Sequence, residues 1–346
     1  MKSMMRFHRW AGRGLAAFLL IAALTGAGMQ WLQPLPDAAS MVAPAAPSVE
    51  AQAAALDRGL ATLQATRPDL QWQLVQLGRP TLQADLDDAQ GKRWRAQLSG
   101  MDGRLLTLDR EDALLGPWLE RLHLWRWLGA AGSWLTGLVA SLALCSVAVG
   151  LRLWWRLRRT RAPQLRRRWH RRIGIVALLP LALLFGTAAA LSWPSAVRTL
   201  IVALGGQPAM APPVVTARPD LPRVSAGQAL LSAAAALPAA RPQRLYRQAP
   251  GLLRLRLRGE EWHPYGLSQV FVAEQGGTVL AVRDGRQLPL VERYVNVIFS
   301  LHAGAVPSWG GPTTALLMRL AWTALALALA AMLLTGLPWR KRKLPV

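Results

Sequence analysis

The chain has 346 residues, of which 52% are hydrophobic and only 17% are charged, and its formal net charge is +23. Soluble globular domains carry about 25% charged residues, so this composition excludes an ordinary soluble protein. The single cysteine, Cys145, excludes an internal disulfide framework, so any domain outside a membrane must fold by packing alone.

Four runs of the sequence carry almost no charge, and each has about 20 residues or more, the length that an α-helix needs to cross a bilayer core. They predict four transmembrane helices, at residues 14–33, 123–151, 173–193 and 305–339, the last beginning with an irregular segment. The first run follows basic residues like a signal peptide, but an Ala-x-Ala cleavage pattern is absent after it. We therefore expect this run to be retained as a span.

The basic residues are concentrated beside the predicted spans. Residues 1–13, 152–172 and 340–346 contain 18 of the 41 lysines and arginines and none of the 18 acidic residues. Short loops rich in Lys and Arg mark the cytoplasmic side, so both termini are predicted to be cytoplasmic. No groove-reading helix accompanies this charge, so we expect the lipid bilayer, and no nucleic acid, as a partner.

The two long segments between the spans, residues 34–122 and 194–304, read as small extracytoplasmic α+β domains. In the first, a short helix at 56–66 precedes alternating strands over 70–110. In the second, Ser225 is placed to cap a helix that runs to Leu237. The strand candidates that follow it are Gln243–Gln248, Leu252–Leu257, Gln269–Glu274 and Thr278–Val282.

The chain also repeats itself. The pattern H-R-x-x-G occurs at His8–Gly12 and at His170–Gly174, each time at the start of a span. Leu-His occurs at His123 and at His302, each time at the end of an outer segment. Each half therefore reads inner histidine, span, outer domain, outer histidine, span and basic tail, which predicts two parallel repeats.

Four of the five histidines lie close to span ends, one for each predicted helix: His8 and His170 at the cytoplasmic side, His123 and His302 at the outer side. Neutral imidazole is a good ligand for haem iron. A 20-residue helix rises about 30 Å, so an inner and an outer histidine cannot share one iron. The workable pairs are His8 with His170 and His123 with His302, each holding one haem through two axial imidazoles.

Three other residues were weighed for a role. His263, in Trp262-His263-Pro264, is expected to be structural at a turn. Arg126 and Arg319 could each pair with a haem propionate near the outer face or extend to the membrane surface. A single interfacial histidine is also commonly a solvated side chain, so the haem hypothesis depends on all four acting in pairs.

The pattern resembles the PepSY-associated transmembrane family of bacterial inner-membrane proteins, some of which are ferric-siderophore reductases. The resemblance is carried by these motifs: H-R-W-x-G at His8, Leu122-His123, H-R-x-x-G at His170, His263-Pro264-Tyr265-Gly266 and Leu301-His302-Ala303-Gly304. It implies PepSY-type outer domains, each a helix on a small antiparallel sheet. It also implies two b-type haems held by the span histidines. The first outer domain diverges from the family pattern.

We therefore expect an inner-membrane oxidoreductase that moves electrons outward to a periplasmic acceptor, such as a ferric siderophore in iron uptake. The donor is expected to be membrane quinol or a separate cytoplasmic reductase. One alternative is a non-enzymatic, membrane-anchored PepSY protein that binds or regulates a periplasmic peptidase. A small-molecule or metal carrier is disfavoured because the predicted spans contain no carboxylate.

Overall fold

The computed structural model describes residues 1–32, 48–77, 81–160, 164–215, 218, 220–306 and 310–337. The helices of this part are α1 Lys2–Gly14, α2 Ala16–Leu32, α3 Val49–Thr66, α4 Leu115–His123, α5 Ala130–Leu157, α6 Leu165–Val176, α7 Leu178–Ser192, α8 Pro194–Ala203, α9 Ala226–Ala236, α10 Leu290–Ala303 and α11 Pro312–Gly336. The strands are β1 Gln71–Gln76, β2 Thr81–Asp87, β3 Arg93–Ser99, β4 Leu105–Arg110, β5 Arg241–Ala249, β6 Leu252–Arg258, β7 Ser268–Ala273 and β8 Val279–Arg283.

Two helices of the described part, α5 and α11, are each long and apolar enough to cross a membrane. Two further candidate spans are bent pairs: α1 with α2 meet at 54°, and α6 with α7 meet at 66°. Pro180 accounts for the second bend, because proline lacks an N–H and its ring meets the carbonyl four residues earlier, at Val176.

The predicted span at 123–151 is wrong at its start. His123 ends α4, and the long helix α5 begins only at Ala130. Between them the backbone of Trp125 is left-handed, with φ 52°, and Gly129 has φ 58° with ψ −134°. A helix cannot continue through such residues, so the chain turns here and His123 belongs to a separate short helix.

The eight strands form one antiparallel sheet in the order β4-β3-β2-β1-β5-β6-β7-β8. The sequence predicts two separate outer domains, but β1 pairs with β5, with Val75 opposite Leu245, so both segments share a single sheet. Each half alone would leave an unpaired inner edge, and pairing the two edges satisfies their backbone groups. The four strand candidates of the second segment correspond to β5–β8.

One face of this sheet is covered by α3 and α9. Leu56 of α3 and Leu230 of α9 are fully buried against leucines of the strands, including Leu82 and Leu255. Such burial contributes about 2 kcal/mol per large side chain. The predicted cap is confirmed: the Ser225 hydroxyl accepts from the N–H of residue 228 in a capping box that starts α9.

A second apolar core lies among the remaining helices. It joins α1, α2, α5, α6–α7 and α11 through buried side chains: Ala11, Leu15, Leu19, Ala23, Val139, Ala143, Ala177, Leu181, Phe185 and Leu329. Many other large apolar side chains of these helices point outward, as lipid-facing residues do. The helices therefore form a bundle whose interior is packed and whose outside is apolar.

Candidate functional site

Two histidines from different halves of the chain meet between α1 and α6. The ring centres of His8 and His170 lie 6.2 Å apart, and their planes are inclined at 72°. We call these two residues the first pair. The sequence predicts this pairing, because each histidine lies at the start of a span.

Each imidazole of the first pair is held by a neighbouring helix. The Nδ1 of His8 lies 3.1 Å from the backbone oxygen of Ser146 on α5 and 3.0 Å from its hydroxyl. The Nδ1 of His170 lies 3.0 Å from the backbone oxygen of Met332 on α11, with the Thr335 hydroxyl 3.5 Å away. A carbonyl only accepts, so Nδ1 carries the proton in both rings and Nε2 is left with a free lone pair.

The second pair, His123 and His302, comes from α4 and α10. Their ring centres are 6.3 Å apart and their planes are inclined at 57°. The Nδ1 of His123 donates to the backbone oxygen of Ala22 at 3.0 Å, and the Thr25 hydroxyl lies 3.1 Å away. Its Nε2 is therefore free to bind a metal, as in the first pair.

His302 is oriented in the same way by α7. Its Nδ1 lies 3.1 Å from the hydroxyl of Thr187, and that hydroxyl donates to the backbone oxygen of Leu183 at 2.8 Å. Because the hydroxyl proton is already used, the oxygen accepts from Nδ1–H. In the sequence, a threonine stands beside a glycine both in α2, at Thr25, and in α7, at Thr187. The sequence alone did not predict that these two threonines contact the imidazoles.

The chain matches the family model described as the PepSY-associated TM region over residues 5–342. This chain belongs to that family. The resemblance drawn from the histidine motifs is thereby confirmed, and the chain is a membrane protein. No curated protein matches it.

In this PepSY-associated protein, three glycines lie directly against the histidines. A Cβ added to Gly26 would lie 3.2 Å from Cε1 of His123, and one added to Gly150 would lie 3.1 Å from Cε1 of His8. At Gly336 the corresponding distance to Cε1 of His170 is 3.3 Å. Each of these distances is shorter than ordinary van der Waals contact, so glycine is what allows the imidazoles to seat against the helices.

The spacing of both pairs fits a haem. If the two Nε2 atoms faced each other across one metal, with metal–nitrogen bonds of about 2.0 Å and each nitrogen about 1.1 Å from its ring centre, the ring centres would be about 6.2 Å apart. The observed distances are 6.2 and 6.3 Å. The described residues contain no group of three or more His, Cys, Asp or Glu side chains around a common point. Two facing imidazoles could hold a metal-centred macrocycle, which would itself supply the other ligands.

The fifth histidine of this PepSY-associated protein lies apart from both pairs. His263 is buried and stacks on Phe299 at 4.7 Å, and its Nδ1 accepts from the backbone N–H of Tyr265 at 3.2 Å. Burial, aided by the nearby positive charge of Arg256 and other arginines, lowers the pKa of His263 to about 3. His263 is therefore neutral and stabilises the turn through this hydrogen bond, in line with the structural role expected from the sequence.

Of the two arginines considered as propionate partners, Arg126 forms an ion pair with Glu120 at 3.1 Å. Both side chains are about half exposed, so this contact contributes little to stability. Arg126 directly follows Trp125, within the turn that separates His123 from the long helix α5. Arg319 lies in the first third of α11.

Proposed function

We propose that the chain is a di-haem electron-transfer protein of a bacterial inner membrane that moves electrons outward to a periplasmic acceptor, such as a ferric siderophore. The observation that carries the proposal is the spacing of the two histidine pairs. His8 and His170 would hold one b-type haem, and His123 and His302 the other. Held by these histidines, each haem would supply a one-electron couple for electron transfer.

The contacts of the histidines support four spans in two parallel repeats. His8 of α1 is held by α5, as His170 of α6 is held by α11. His123 of α4 is held by α2, as His302 of α10 is held by α7. The corresponding elements are thus α1 with α6, α2 with α7, α4 with α10, and α5 with α11. Each pair then takes one histidine from each repeat.

The two pairs would lie near opposite faces of the membrane. His170 and Thr187, which holds His302, are 17 residues apart along α6 and α7, a rise of about 25 Å in a straight helix and less across the bend. Arginines surround His170 at residues 166–168, 171 and 172, which favours the cytoplasmic side for the first pair and for both termini.

The second pair lies at the end of the bundle that carries the sheet. The loop that follows β6 contacts the end of α10, where the indole N–H of Trp262 donates to the backbone oxygen of Ala305 at 2.7 Å. The backbone N–H of His263 donates to Asn296 of α10 at 2.6 Å. A periplasmic acceptor would therefore approach the second pair beside the sheet. Reduction favours release of iron, because hard oxygen chelators hold Fe(II) less tightly than Fe(III).

The proposal is tested with protein purified from haem-replete cells and reduced without oxygen by dithionite. Adding ferric citrate is expected to reoxidise the protein and to release Fe(II), trapped by a chromogenic chelator. His302→Ala should abolish this reaction, whereas His263→Asn, at the remaining histidine, should leave it intact.

Wild-type protein that contains haem but is not reoxidised by any ferric chelate would contradict a ferric chelate as the electron acceptor. Protein without haem would contradict the whole proposal. The rival peptidase-regulating role requires instead that all four paired histidines be replaceable without effect.

A further inference from the structure

Four arginines of the second half point from the same face of the sheet. Arg244 of β5 lies directly opposite Arg256 of β6, and Arg283 of β8 continues the same row through residue 269 of β7. Arg254 lies one row away, opposite Tyr246. We call Arg244, Arg254, Arg256 and Arg283 the arginine face.

The arginine face points away from the helices that cover the sheet. Side chains alternate along a strand, and the intervening residues Leu245, Leu255 and Val270 are buried in the core against α3 and α9. Arg244, Arg254 and Arg256 are half-buried, and Arg283 is buried. The four side chains therefore lie on the opposite face of the sheet, and those of Arg244, Arg254 and Arg256 are in partial contact with solvent.

Aromatic rings hold these guanidinium groups in place. Arg244 lies over the ring of Tyr265 at 3.3 Å, and Arg254 lies over Tyr246 at 4.4 Å. Arg283 lies 4.8 Å from the ring centre of Phe271. Stacking on aromatic faces fixes the orientation of an arginine without satisfying its N–H groups. The Nε atoms of Arg244, Arg254 and Arg283 are buried and have no hydrogen-bond partner.

The hydrogen-bond partners of the arginine face are all neutral. They are the Tyr246 hydroxyl, 3.3 Å from Arg244, the backbone oxygen of Gly266 for Arg256, and backbone oxygens at Met210 and Ala211 for Arg283. Within the described residues, none of the four arginines has a carboxylate within 4.0 Å. Asp37 is the sole acidic residue outside those ranges.

This arrangement is electrostatically unfavourable by itself. Like charges directly opposite on neighbouring strands destabilise a sheet, and burial lowers the pKa of both Arg254 and Arg256. The first half of the same sheet is arranged differently: Arg95 of β3 lies 2.8 Å from Asp85 and 3.7 Å from Glu111. In the first half Arg95 is neutralised within the sheet, whereas in the second half the four arginines have no carboxylate of the described residues within 4.0 Å.

We propose that the arginine face is a binding site for a small anion bearing carboxylate or phosphate oxygens. Guanidinium groups bind such oxygens through paired, charge-assisted hydrogen bonds, and the unpartnered Nε atoms supply donors for them. The anion could be a soluble carboxylate or phosphate, or the head group of an anionic lipid. The site involves none of the paired histidines, so this proposal goes beyond electron transfer.

The arginine face is linked to the helix of the second pair. Tyr265, beneath Arg244, donates its backbone N–H to His263, and His263 stacks on Phe299 of α10. Phe299 precedes His302 by three residues, about one turn of the same helix. A bound anion would thus occupy the end of the sheet that contacts α10.

The test uses the full chain in nanodiscs that contain phosphatidylcholine alone, titrated calorimetrically with metal-free citrate and, separately, with inorganic phosphate. Wild type is expected to bind at least one of them, and Arg254→Gln or Arg256→Gln should weaken binding about tenfold or more. Arg218→Gln is the matched control, because Arg218 is exposed and paired with Asp220. Haem content is recorded for each variant, so loss of anion binding is distinguished from loss of haem.

A second arm separates the two sources of the anion. Replacing part of the phosphatidylcholine by phosphatidylglycerol is expected to raise the unfolding midpoint of wild type, but not of Arg256→Gln, if a lipid head group is the occupant. The proposal is overturned if wild type responds to none of citrate, phosphate and phosphatidylglycerol. It is equally overturned if Arg218→Gln changes the response as much as Arg256→Gln does. If Arg256→Gln does not fold, Arg254→Gln provides the same comparison with Arg218→Gln.

Discussion

The imidazoles of His123 and His302 lie 6.3 Å apart, centre to centre, although they come from opposite halves of the chain. Each is held at Nδ1 by a different helix, so both rings present Nε2. His8 and His170 repeat this relationship at 6.2 Å elsewhere in the bundle. Two pairs with the same spacing and the same hydrogen-bonded nitrogen indicate one kind of site used twice.

Removing the hydroxyl that holds His302 is expected to raise a haem midpoint potential. Donation from Nδ1–H makes the imidazole a stronger ligand and stabilises the ferric state, so Thr187→Val weakens that effect while preserving side-chain shape. Redox titration followed by visible spectra measures the change. Ser192→Ala is the control, because the Ser192 hydroxyl bonds only to the backbone of its own helix. Equal potentials in Thr187→Val and wild type would contradict the assignment of this contact.

Filling the space beside His8 should displace its ring. A Cβ at Gly150 would lie 3.1 Å from the imidazole, and the larger side chain of Gly150→Val would force the ring out of position. We expect haem content to fall towards one per chain. Gly14→Val serves as the comparison, since a Cβ at Gly14 meets nothing within 4 Å. Full haem content in Gly150→Val would contradict this prediction, because it would mean that the His8 ring can move aside and still bind haem.

Asp57 joins the two halves of the sheet domain. Its carboxylate accepts from the Ser225 hydroxyl and from the backbone N–H of Gly227, both at 2.7 Å, at the start of α9. Losing these bonds at a helix N-terminus costs about 1–2 kcal/mol, so Asp57→Ala should speed amide exchange in α9 about 5- to 30-fold. Mass spectrometry of exchanged peptides measures this. Asp69→Ala, at an exposed ion pair with Arg67, should have little effect.

The buried His263 is expected to make the protein less stable in acid. Its pKa is about 3 in the folded chain against an ordinary value of 6.5, so only the unfolded state takes up its proton between these limits. The contribution of His263 to the free energy of unfolding is constant above pH 6.5. Below pH 6.5 it lowers that free energy, by about 2 kcal/mol at pH 5. Unfolding midpoints at pH 7.5 and 5 should therefore differ more in wild type than in His263→Asn. Equal differences would mean that His263 is protonated in the folded protein.

The start of α9 and the pairing of the histidines could be predicted from the sequence, whereas the strand pairing between the two outer segments could not. Ser225 identified the start of α9, and the placement of His8 and His170 identified which histidines meet. The pairing of β1 with β5 was not predicted from the sequence. An edge strand has the same alternating residue pattern whether its edge is exposed or pairs with another strand. The break before α5 was missed because nothing in the sequence at Trp125 marks a left-handed backbone.

Each histidine pair is expected to hold one haem, and the haem-to-chain ratio of purified protein measures this. Wild type from haem-replete cells should contain two haems per chain, with a reduced-minus-oxidised spectrum of the b type. His8→Ala and His123→Ala should each retain one, and the double variant none. A wild-type ratio near zero, or single variants that keep both haems, would contradict the account.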